Sequence, residues 1–362
     1  MFLQPLIWFC SVSFSCMSSF RRAFSLFPKQ LAKCPMRMNP SGSSSAGNPN
    51  LIRDSFFSTS ALSNQNASYS TTLKGKTVVV TAGNQGGGAV IAYRYAASGA
   101  NVVVVANKSP SLDRARVNDV AAKIIESGGE AMTLEVDLGD SRDIRSSVEK
   151  ILERFGKMDI VINNYSIFNF KKSQDTTSDE FHTVIKNIYA TLFFSQACIN
   201  ALKQSDNPHV INIAPPLDMD SAKEACENHL LFSLSKYGMS FCTLGMSKEF
   251  SEEGIAFNSL WQERPVATQT LTTNFDDEVT RGSNKPEIYA EAAYLISLKP
   301  SKTFTGNFCI DEEILREAGI ELSQYAVDPT ATPVKDIFLP GANYDLLKGA
   351  MQAKQNTTKS FK

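Results

Sequence analysis

Metal ligands are scarce in this chain. It holds three histidines and seven cysteines, and no two cysteines form a C-x-x-C pair. A zinc site needs such ligands clustered at fixed spacing, so a metal centre is not expected. An odd cysteine count without a framework fits a reducing compartment. A basic excess is also missing. The net charge is −1, which removes the general phosphate attraction on which nucleic-acid binding rests. No apolar run reaches the roughly 20 residues of a membrane span. The opening MFLQPLIWFCSVSFSC is too short for one, and it lacks the basic start of a secretory signal.

Acidic residues are absent before Asp54, whereas Arg21, Arg22, Lys29, Lys33, Arg37 and Arg53 precede it among many serines. Phe20, Phe24, Phe27 and Leu31 fall on one face of a helix, with Arg22, Lys29 and Lys33 roughly opposite. This is the composition of an organellar presequence, and a mitochondrial location is expected. A start at Met17 instead of Met1 would leave a cleaner one. A secretory or anchoring segment and plain disorder are the alternatives. Residues 1–72 are therefore read as presequence and linker, 73–325 as the folded domain and 326–362 as a polar, lysine-rich tail.

What is present is a regular alternation. KTVVVT (76–81), NVVVVA (101–106), AMTLEVD (131–137), MDIVIN (158–163), HVINIA (209–214), IAFNSLW (255–261) and GNFCID (306–311) read as strands. Between them lie helical segments, including 89–99, 114–129, 141–156 with Ser141 as N-cap, 178–203, about 222–252 and 286–298. The strands are apolar throughout, as in a parallel sheet covered on both sides. The fold class is α/β, with one Rossmann-type, doubly wound, parallel seven-stranded sheet and helices on both faces.

TAGNQGGGA (81–89) sits where the first strand turns into a helix, a place suited to a pyrophosphate. With Asp137-Leu138 after strand three, INNYS (162–166) after strand four, Asn187 and Lys236, the chain resembles the short-chain dehydrogenase/reductase family. Segments such as FTGNFCIDEEILREAGI (304–320) place the resemblance in its hydroxysteroid dehydrogenase-like branch. The resemblance implies a nicotinamide cofactor held by Thr81, Gly83, Gly86, Gly88, Lys108, Asp137, Leu138, Asn163, Lys236, Val266 and Thr268. The family's turn reads T-G-x-x-x-G-x-G, but here Ala82 takes the first glycine position. A positive φ there would cost roughly 1–2 kcal/mol, unless the turn rearranges onto Gly83. Strand two ends Ala106-Asn107-Lys108 without the acid that holds a 2′-hydroxyl, so NADP is expected over NAD, which stays possible.

The same resemblance implies four catalytic groups, and two are missing. Ala214 stands where relatives carry serine, and Phe232 stands where they carry the tyrosine proton donor; Lys236 and Asn187 are retained. Phenylalanine has no donor and alanine no oxygen. His229, three residues before Phe232, is a candidate substitute acid. Tyr165 is a weaker one, and Tyr237 points elsewhere on the helix. Relatives place proline directly after the strand-six tryptophan, whereas this chain reads Trp261-Gln262-Glu263-Arg264-Pro265. Three readings stay open: a cofactor-binding protein without standard catalysis, an active oxidoreductase with an unusual acid, and a scaffold without nucleotide. The resemblance suggests a lipid-like or steroid-like small molecule as ligand. It also suggests a homo-oligomer through the two long helices, though their apolar Phe193, Phe194, Phe241 and Leu244 suit core packing equally.

Overall fold

The computed structural model of the protein describes residues 72–109, 112–114, 116–344 and 346. The presequence reading of residues 1–71 lies outside them. Seven strands form one sheet: β1 (Thr77–Thr81), β2 (Asn101–Asn107), β3 (Ala131–Val136), β4 (Ile160–Asn163), β5 (His209–Ile213), β6 (Ala256–Trp261) and β7 (Phe308–Ile310). Their order is β3-β2-β1-β4-β5-β6-β7, and every pairing is parallel. The order reverses between β1 and β4, which opens a crevice at the carboxyl ends of those strands.

Valine-rich strands suit this sheet because both faces are dry. Val78, Val80, Val102 and Val104 enter one core cluster, whereas Val79, Val103 and Val105 enter the other. The first cluster is covered by α1 (Gly86–Ala97), α2 (Asp119–Glu126) and α8 (Glu287–Ser297). The second is covered by α3 (Ser141–Phe155) and α4 (Ser178–Leu202). The long α5 (Met219–Glu249) contributes to both.

Local chemistry sets several boundaries. Asp140, not Ser141, caps α3, accepting from Arg142 N, and Gly156 ends the helix at φ +73°. Thr177 and Glu180 form a reciprocal capping box at the start of α4. α4 and α5 approach closely at Gly238, where an added Cβ would lie 2.2 Å from Ile188 Cδ1. α6 (Gln269–Asn274), α7 (Asp277–Arg281) and α9 (Asp311–Glu317) are short helices that the sequence pattern did not announce.

The tail reading fails for residues 326–339. Val334, Phe338 and Leu339 are buried, and Phe338 joins the core cluster of the first face. Val334 N donates to Gly282 O and Asp336 N to Glu263 O, both at 3.0 Å. The segment thus returns across the carboxyl end of the sheet. The segment AVDPTATPVKDIFL has no helical or strand periodicity, and the burial of its apolar residues depends on distant partners.

Candidate functional site

The turn after β1 carries an unusual residue. Ala82 has φ +50°, the one non-glycine positive φ among the described residues. The turn does not rearrange onto Gly83, and Ala82 itself takes the positive φ. Gly83 is needed for space instead, since a Cβ there would meet Val80 O at 2.9 Å. Gly86, at φ +55°, opens α1, and a Cβ on Gly88 would fall 2.4 Å from Ala82 O and 2.5 Å from Asn164 Nδ2. Backbone N–H groups at the start of α1 are therefore presented at the crevice.

Asn164 locks this turn. Its Nδ2 donates to Thr81 O at 3.1 Å and to Ala82 O at 3.3 Å. Thr81 Oγ1 in turn accepts from Asn164 N and Tyr165 N, each at 3.0 Å. Asn163 is not the cavity residue expected. It is buried, and its Nδ2 donates to Ser195 Oγ and Asn212 Oδ1, both at 2.8 Å. Neighbouring Asn164 lines the cavity instead. At the other end of the crevice, Leu138 N donates to Asn107 Oδ1 at 3.1 Å. Asp137 N donates to Asp143 Oδ2 at 2.6 Å, and Lys108 Nζ pairs with the same oxygen at 2.9 Å. Lys108 is thus partly neutralised by a carboxylate that the sequence reading overlooked.

A cavity of about 530 Å³ extends from Gly86 to the aromatic residues of α5 and the C-terminal segment. Phe232 is buried in its wall, its ring stacked on Phe168 at 5.0 Å and meeting Phe170 at 5.2 Å and Phe338 at 5.8 Å. One helical turn on, Lys236 lines the same cavity. Its Nζ donates to Ile213 O at 2.9 Å and lies 5.1 Å from the centre of the Trp261 ring. Burial drives the Lys236 pKa down to about 7, against the opposing pull of the Asp336 charge. Val266 and Thr268 line the cavity as expected.

The other retained or lost positions sit behind the wall. Ala214 is fully buried. Asn187 is also buried; its Oδ1 accepts from Ile167 N at 2.7 Å, and its Nδ2 donates to Ile167 O at 3.0 Å and Ser235 Oγ at 3.1 Å. It fastens the loop after β4 to α5. His229 does not share a helical face with Phe232, because the helix breaks there at φ −144°, ψ 58°. Its ring packs edge-on against Phe170 at 5.0 Å. Tyr165 packs in the second core cluster, and burial, with Asp137 adding, pushes its pKa up to about 12. Tyr237 packs edge-on to Phe338 at 5.4 Å.

Two cavity groups escaped the sequence reading. Asp336 is buried; its Oδ1 accepts from Trp261 Nε1 at 2.7 Å and Phe338 N at 3.1 Å, and its Oδ2 accepts from Gln262 Nε2 at 2.6 Å. Ser166 Oγ is buried in the cavity wall with no hydrogen-bond partner among the described residues. Only INNYS itself could have signalled Ser166, and nothing local signalled Asp336. The glycine turn, the open helix start and this orphan hydroxyl together fit a dinucleotide lying along the crevice.

A family model described as short chain dehydrogenase matches residues 76–278. The chain is 37% identical over 281 residues to hydroxysteroid dehydrogenase-like protein 2 of Danio rerio, covering 76% of this chain and 66% of that protein. It spans from about half to somewhat over two thirds of the curated relatives it matches, 51% in Rattus norvegicus and 69% in Xenopus laevis. A short chain dehydrogenase from Mycobacterium thermoresistibile superposes with a TM-score of 0.68 at 34% identity, over 75% of this chain and 99% of that one. The fold is also shared, at 24% identity and a TM-score of 0.58, with a Burkholderia cenocepacia short chain dehydrogenase crystallised with NADP; 66% of this chain and 96% of that one are covered.

Proposed function

The chain belongs to the short-chain dehydrogenase family, and on that premise we propose that it binds NADP(H) in the crevice but lacks the family's standard proton donor. The observation that carries this is Phe232 in the cavity wall one helical turn from Lys236. A bound nicotinamide would supply or accept a hydride at that wall. Gly86 and the start of α1 would receive the pyrophosphate, Thr268 would close over it, and Lys236 and Ser166 would meet the sugar hydroxyls. Lys108 would leave Asp143 to meet a 2′-phosphate. NAD remains the second candidate, because that exchange gives up an existing ion pair.

What this chain's residues do without a phenol is bind and orient. Lys236 supplies positive charge, and the aromatic wall of Phe168, Phe170, Phe232 and Phe338 excludes water and accepts an apolar, lipid-like or steroid-like ligand. The phenol that does line the cavity, Tyr289, is a poor replacement acid. Burial raises its pKa well above the ordinary value, and the charges of Asp311 and Asp336 raise it further. We also read the exposed stripe Leu230, Leu234, Phe241 and Leu244 on α5 as a homo-oligomer surface.

The test is a fluorescence titration with NADPH and NADH, followed by reversion. Wild type is expected to bind NADPH and to reduce a panel of apolar carbonyl compounds weakly or not at all. Ala214→Ser with Phe232→Tyr is expected to raise turnover by about 10²-fold or more, the usual worth of a general acid. Cofactor binding with flat turnover in the double variant would show that the two lost groups are not what limits activity.

A further inference from the structure

Among the described residues, Lys236 is the one lysine or arginine lining the cavity and Asp336 the one carboxylate. They come from different parts of the chain, Lys236 from the middle of α5 and Asp336 from the returning C-terminal segment. Trp261 stands between them. Its Nε1 donates to Asp336 Oδ1 at 2.7 Å, and its ring faces Lys236 Nζ at 5.1 Å. The Asp336 carboxylate accepts hydrogen bonds from Trp261, Gln262 and Phe338. Burial raises the Asp336 pKa, whereas the donors Gln262, Trp261 and Phe338 and the Lys236 charge oppose that rise and favour the ionised form. Phe338 then wedges the segment in place against Phe232, Tyr237 and Trp261.

We propose that Asp336 is a positioning residue for Lys236: it fixes the Trp261 indole beside the lysine head group and keeps that head group cationic inside an apolar cavity. The C-terminal segment is thereby part of the ligand site. Phe232, one helical turn away, offers the lysine no hydroxyl, so beyond its bond to Ile213 O the Lys236 charge can meet a ligand head that accepts hydrogen bonds. That head is a sugar hydroxyl, a carbonyl or an anion. The inference depends on the proposed function only in taking Lys236 as the ligand-facing group.

The electrostatics agree with the geometry. Burial lowers the Lys236 pKa and the Asp336 charge raises it, with about 7 as the result. Other titratable groups close by stay neutral near pH 7: Tyr237 and Tyr289 are phenols whose pKa burial raises. Asp311, behind Tyr289, is itself pushed up to about 8 by burial. Removing the Asp336 charge therefore lowers the Lys236 pKa, and the amine becomes neutral at lower pH.

Competitive acylation with acetic anhydride, read by peptide mass spectrometry across pH without nucleotide, measures the Lys236 titration directly. The full chain is used, as wild type, Asp336→Asn, Asp336→Ser and Asp336→Glu. Wild type should show a midpoint near 7. Both neutral variants should move it down by about one unit, which at one unit below the wild-type midpoint raises Lys236 acylation about fivefold. Asp336→Glu should restore it toward wild type. Two neutral variants are included so that a folding failure in one leaves the other to decide. A neutral variant with wild-type melting behaviour and an unmoved or higher midpoint overturns the proposal. A wild type that binds no NADPH defeats the proposed function but leaves the acylation result standing.

Discussion

Ala82 shows what a single residue can carry. It sits at φ +50° in the turn that should cradle a pyrophosphate, where a side chain is disfavoured. Relief of that strain is worth roughly 1–2 kcal/mol, and the extra freedom of an unfolded glycine takes back about 0.4–1 kcal/mol. Ala82→Gly is therefore expected to stabilise the protein by about 0.5–1 kcal/mol, read as a higher urea midpoint at unchanged slope. A lower midpoint would mean that the alanine methyl makes contacts worth more than the strain. Phe232 and Lys236 were legible at this scale because they lie four residues apart on one helix, and spacing alone puts them on one face. His229 was misplaced by the same rule, since the helix is broken at that residue.

Among the elements, the returning C-terminal segment changes the picture most. It buries Val334, Phe338 and Leu339 and gives Trp261 its acceptor. Each buried apolar side chain is worth about 1.5–3 kcal/mol. Truncation after Tyr325 should thus cost several kcal/mol, or on the order of 10 °C or more in melting temperature. A truncated chain that melts like the full one would return the segment to the status of a tail. The element was invisible in sequence because it has neither helical nor strand periodicity. Its apolar residues are too few to signal a core except through the aromatic pocket they fill.

For the molecule as a whole, the open question of the two long helices divides by residue. Phe194 is fully buried, whereas Phe241 is 61% exposed and shares its stripe with Leu230, Leu234 and Leu244. Apolar residues at such spacing on one exposed face suit a partner helix. Phe241→Glu is expected to lower the solution mass by at least half in light scattering, with NADPH titration unchanged. A monomeric wild type would remove the oligomer reading. Among the described residues no helix is long and apolar enough to cross a membrane.

The sequence by itself determined the seven parallel strands, the longer helices between them and the place of Phe232 one helical turn before Lys236. These follow from local runs, helical spacing and side-chain chemistry, none of which needs a distant partner. Only the tertiary structure decided that Asn164 and not Asn163 locks the glycine turn. It alone brought Asp143 to Lys108 and Asp336 to Lys236 through Trp261. Such juxtapositions depend on where the chain returns after the sheet is complete, and buried charges and aromatic contacts between remote segments leave no periodic trace in the sequence.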